Sequence, residues 1–131
     1  MLLLYILTAL IFLVLDAIML TSVMKPIFSR HLGDAMRESP MLLPAAAFYL
    51  AYVAGLVFLV SAPALRDAVP LRAGLHGAII GAMAYGTYEF TSMAVMRDWS
   101  WQMVVTDTLW GTVLTGFSAF AGVWLVLRFT S

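Results

Sequence analysis

The chain has 131 residues, 63% of them hydrophobic and 11% charged, with seven basic residues balancing seven acidic ones. A soluble domain of this length needs far more polar surface, so the composition excludes one. The lack of cysteine excludes disulfides, thiolate metal sites and cysteine nucleophiles, and zero net charge without a basic patch leaves nucleic-acid binding nothing to stand on.

A mean hydropathy of +0.99 resolves along the chain into four apolar segments, at 2–24, 41–62, 71–96 and 103–127. Each exceeds the roughly 20 residues that a helix needs to cross a hydrocarbon core. The expected architecture is all-α: a polytopic four-transmembrane-helix bundle forming a single integral membrane domain over 1–131. Such a chain is short for a membrane protein enclosing a cavity, which keeps a homo-oligomer in view.

The first segment has no basic leader and no small-x-small cleavage site, and it carries Asp16 inside its apolar run. It is expected to be a retained helix rather than a cleaved signal peptide. Tyr5, Thr8, Phe12 and Asp16 fall at three- and four-residue steps and therefore share a face. The break KPIFSRHLGDAMRESP follows, and the second segment then brings Tyr49, nine residues past Pro40. After PALRDAVP, the third segment carries Gly77, Gly81, Tyr85, Tyr88, Glu89 and Ser92 in one stripe. Gly77 and Gly81 permit close helix approach, a common packing device. RDWSW then supplies Trp99 and Trp101, expected as interfacial anchors. The fourth segment aligns Asp107, Trp110, Gly111, Leu114 and Ser118. Prolines 26, 40, 63 and 70 fall in the breaks, where helices are expected to stop or start. Lys25, Arg30, Arg37 and Arg97 lie on one side of the membrane and Arg66, Arg72 and Arg128 on the other. This slight asymmetry tips both termini away from the cytoplasm.

Asp16, Glu89 and Asp107 are the acids within the spans. Asp16 is nine residues from Lys25, Glu89 eight from Arg97, and Asp107 nine from Asp98. At about 1.5 Å per residue, all three lie roughly 12–14 Å below the same membrane face, and Tyr49 joins that layer. Turning the stripes inward makes Asp16, Tyr49, Tyr85, Tyr88, Glu89, Ser92, Asp107 and Trp110 the candidate ligand-binding residues of one half-buried pocket. An intramembrane acid is costly and usually faces the bundle interior, yet it can equally serve as hydrogen-bonding glue between helices. Three carboxylates in one pocket would not all stay ionised. His31 lies in a loop and His76 near the opposite face, so no histidine metal site is expected. No serine elbow, HExxH, phosphate loop or dinucleotide fingerprint is present, and no cofactor can be named.

The segments LDAIML (15–20), PAAAFYLAYVAG (44–55), YGTYEFTSMAVMRDW (85–99) and TDTLWGTVLTG (106–116) resemble the signature segments of the DUF2177 membrane proteins over nearly the whole chain. Family members typically read TYDLTNLAT where this chain has residues 87–95. Glu89 stands for the usual Asp and Ser92 for the usual Asn, so acid and hydrogen-bonding character are kept while Glu reaches further. The resemblance implies a bacterial inner-membrane protein, often encoded near lipid-modifying and photo-oxidative-stress genes; the family name carries no activity. Three functions follow as expectations. The first is binding or transport of a small cationic or amphiphilic ligand. The second is a membrane-embedded lipid-modifying enzyme or its accessory subunit, and the third is a structural partner of another membrane protein. Membrane lipid is the expected surrounding partner in each case.

Overall fold

The computed structural model describes residues 1–33 and 42–130. Arg37, Pro40 and the predicted start of the second span at Met41 lie outside the described residues. The described residues form four helical rods. Helix α1 runs over Leu2–Leu32. Helix α2 joins Leu42–Leu56, Val57–Ser61 and Ala62–Arg66, α3 is Pro70–Val95, and α4 is Trp101–Thr130. By length and composition, Leu2–Leu32, Leu43–Arg66 and Trp101–Thr130 can cross a membrane. Helix α3 is long enough, at 26 residues, but more polar, because it carries the packing glycines, Arg72, His76 and Glu89. The chain is an all-α membrane bundle.

Two of the prolines do not stop their helices. Pro26 and Pro63 cannot donate to the carbonyls of Ser22 and Leu59, and an α-helical ring at either position would clash there. The chain answers with one π-helical turn before each. The Lys25 N–H reaches back five residues to the Leu20 carbonyl, and the Ala62 N–H reaches Val57 in the same way. Such widened turns let proline sit inside membrane helices. Helix α1 therefore continues through Lys25–Leu32, ending at Gly33 with φ of 55°. Pro70 does start a helix, at the first position of α3, where its missing N–H costs nothing.

Helices α3 and α4 pack along their length, and glycines set the spacing. A Cβ at Gly81 would collide with the Gly111 carbonyl, and one at Gly116 would come within 2.9 Å of the Gly74 carbonyl. Helix α1 lies against α4, with Thr8 on Gly122. The main apolar core includes Leu4, Phe12, Val53, Val57, Leu114 and Val123. A smaller cluster of Ile27, Trp99, Met103 and Val104 closes the end nearest the first and third loops. Outward faces are apolar, with Val14, Phe58, Met83 and Val113 exposed, as suits helices surrounded by lipid. The intramembrane acids lie in the layer between the two apolar clusters.

Candidate functional site

Asp16 is buried on α1, and its Oδ1 accepts the indole N–H of Trp110 from α4 at 3.1 Å. Tyr49, on α2, lines the same cavity as this carboxylate. Tyr52, one turn further along α2, pairs its hydroxyl with Thr115 at 3.0 Å. Phe12 packs its ring against both tyrosines, with centroids 5.6 Å away in each case. Tyr85 needs room on α3, and Gly111 supplies it: a Cβ there would collide with the Tyr85 ring. The Tyr85 hydroxyl is buried without a partner among the described residues.

Glu89 is completely buried, at 0% exposure. Its Oε1 accepts the indole N–H of Trp99 at 2.9 Å. Trp99 comes from the turn before α4 and is only 9% exposed, its ring edge-on to Phe28 and Tyr88. The fold-back has a local cause. Ser100 caps α4 by accepting the Met103 N–H at 3.2 Å, which makes Trp99 the residue before the cap. That position packs against the fourth helical residue, here Val104, in a hydrophobic staple. Trp99 is thus turned inward, correcting its expected place as an interfacial anchor, while Trp101 is 59% exposed. Asp107, on α4, is half-buried.

Between these side chains lies a half-open cavity of about 660 Å³. Asp16, Tyr49, Tyr52, Tyr85, Tyr88 and Asp107 form its polar lining, and Leu20, Met24, Phe28, Ala45, Phe48 and Ala84 its apolar lining. Thr21 and Lys25 complete it on the side of the first loop. The volume suits a small organic molecule, and pockets of this kind bind through an apolar wall with a few placed polar groups. Among the described residues, no three His, Asp or Glu side chains gather closely enough to hold a metal ion.

The family model described as "Predicted membrane protein (DUF2177)" matches residues 1–124. The chain belongs to the DUF2177 family. No curated protein and no solved structure matches it.

In this DUF2177 chain the sequence-predicted residues are distributed over three positions. Asp16, Tyr49, Tyr85, Tyr88 and Asp107 line the cavity, with Tyr88 at its rim and 53% exposed. Trp110 stands behind Asp16 as its hydrogen-bond donor. Buried Glu89 and half-buried Ser92, one turn further along α3, both lie outside the cavity lining. Sequence reasoning missed Tyr52, Lys25 and Trp99. Tyr52 was within reach of the helical rule, being three residues from Tyr49 on the same face of α2.

Proposed function

We propose that this DUF2177 protein is a multi-pass protein of the bacterial inner membrane that binds, and can carry, a small cationic or amphiphilic ligand in the cavity. The observation that carries this reading is the lining: two carboxylates and four tyrosines around a largely apolar space of about 660 Å³. A carboxylate facing such a space inside a membrane attracts a cation strongly, because little water competes. Tyrosine faces add cation–π attraction, which favours organic ammonium and phosphonium groups over hydrated metal ions. The apolar wall takes the hydrocarbon part. Because the cavity is half open and lipid surrounds the bundle, an amphiphile can enter without leaving the membrane.

The test pairs two hydrophobic ions of matched size and opposite charge. Tetraphenylphosphonium should bind the purified protein, whereas tetraphenylborate should not. Asp107→Asn and Asp16→Asn should each weaken the cation by about tenfold or more, as expected when one partner of a desolvated charge pair is removed. Equal uptake of both ions, or unchanged affinity in both variants, would contradict the reading. Carriage is measured separately, by cation uptake into proteoliposomes that hold the wild-type chain.

A further inference from the structure

Among the described residues, Lys25 is the one basic side chain on the cavity wall, and cation binding at the carboxylates gives it no part. Its position there depends on the π-helical turn of α1. Asp16 and Lys25 are nine residues apart, which in an uninterrupted α-helix would put them about 180° apart, on opposite faces. The widened turn at Leu20–Met24 takes up one extra residue, or about 100° of rotation, and so swings Lys25 round toward the face that Asp16 uses. Asp16, Lys25 and Asp107 accordingly line one space. Among the described residues, no ion pair joins Lys25 to either carboxylate. The cavity therefore has two separated poles, acidic in the layer of Asp16 and Asp107 and basic about 12 Å nearer the first loop.

We infer that the ligand is a zwitterion that enters ammonium first, its cation at Asp16 and Asp107 and its anion at Lys25. This names the ligand class within the cation-binding reading and rests on it. Leu20 and Met24 lie along α1 between the two poles, so the segment joining the charges is apolar. Allowing for the reach of the lysine and aspartate side chains, the charges of the ligand stand roughly 6–10 Å apart. A short hydrocarbon chain spans that distance. A lone cation would leave the repulsion from Lys25 in place, and a ligand with both charges satisfies both poles. The order of charges also excludes the common zwitterionic phospholipids of that leaflet. Their ammonium is the outermost group, and their phosphate lies nearer the tails.

The test uses the full chain in a nonionic detergent. The probes are trimethylammonium–alkyl–carboxylates of graded spacer length, each compared with an alkyltrimethylammonium ion of the same length that ends in a methyl group. Wild-type affinity should peak at the zwitterion whose charges match the span, with glycine betaine, the shortest member, about tenfold weaker or more. Lys25→Met keeps the apolar stem and removes the charge. It should weaken the best zwitterion about fivefold or more, yet leave the methyl-ended cation bound at least as tightly as before. Opposite shifts from one substitution identify a charge contact, because a merely structural lysine would move both ligands alike. Lys25→Glu should transfer the preference to a bis(trimethylammonium) ion of the same spacer. Either variant decides the matter if the other fails to fold.

Unchanged zwitterion affinity in Lys25→Met, or equal losses for both ligands, would overturn the inference. So would a short-chain phosphatidylcholine that loses as much affinity in this variant as the best zwitterion does. The two readings fail separately. Tetraphenylphosphonium binding that depends on Asp16 and Asp107 upholds the cation reading whatever Lys25 does. A wild type that binds neither this ion nor any of the zwitterions would overturn both.

Discussion

Trp99 and Trp101 are two residues apart, and their surroundings set their energetic weight. Trp99 donates to a carboxylate with no access to water, so losing its N–H leaves a buried acceptor unpaired. Trp99→Phe should lower thermal stability in detergent by about 1–3 kcal/mol, the cost of orphaning a buried polar group. Trp101→Phe should stay within about 0.5 kcal/mol, because its ring is mostly exposed. Equal losses would mean that the Trp99–Glu89 bond contributes little. The inward turn of Trp99 could have been read from Trp99-Ser100 followed by Val104, a cap with its staple. An aromatic residue beside a membrane break more readily reads as part of an interfacial belt, and hydropathy cannot separate the two. Glu89 and Asp107 differ in the same way. Depth and helical phase place both in one layer, but only packing decides which one reaches the cavity.

At the scale of the helices, the turn between α2 and α3 carries an avoidable strain. Helix α2 ends in a Schellman arrangement, with the Val69 N–H on the Ala64 carbonyl at 2.9 Å and the Ala68 N–H on Leu65 at 3.1 Å. This motif requires a left-handed residue, and Ala68 fills the position with φ of 56°. Ala68→Gly should therefore raise thermal stability, by up to about 1 kcal/mol once the extra freedom of glycine in the unfolded chain is offset. A lowered melting temperature would contradict this account of the turn. Gly111 behaves oppositely. Gly111→Ala pushes a methyl group into the Tyr85 ring and should cost about 1–3 kcal/mol by overpacking. It should also weaken tetraphenylphosphonium binding, since the displaced ring belongs to the cavity wall. That α3 approaches a neighbour closely was legible in Gly77 and Gly81, whereas the identity of that neighbour as α4 came from the packing. The paths through Pro26 and Pro63 were not. A proline marks either the end of a helix or a π turn within one, and tertiary packing chooses between them.

For the molecule as a whole, the decisive feature is a polar layer held between two apolar clusters. Four helices and a shared depth for the acids were legible, because charges interrupt hydrophobic runs at countable distances and each residue advances the helix by a fixed rise. The cavity itself was not, because it depends on where α2 sits relative to α1 and α3. Its first half keeps Leu43, Phe48 and Leu50 exposed, while Val53, Leu56 and Val57 anchor the next turns in the core. The space thus opens beside Tyr49 and Tyr52 and closes below them. The most direct measurement is a crystal structure of the wild-type protein with tetraphenylarsonium, whose arsenic is located by its anomalous scattering. The account predicts an arsenic peak inside the cavity, facing Asp16 and Asp107 and ringed by Tyr49, Tyr52, Tyr85 and Tyr88. An arsenic peak only on the outward, lipid-facing surface, or no peak at saturating concentration, would contradict it.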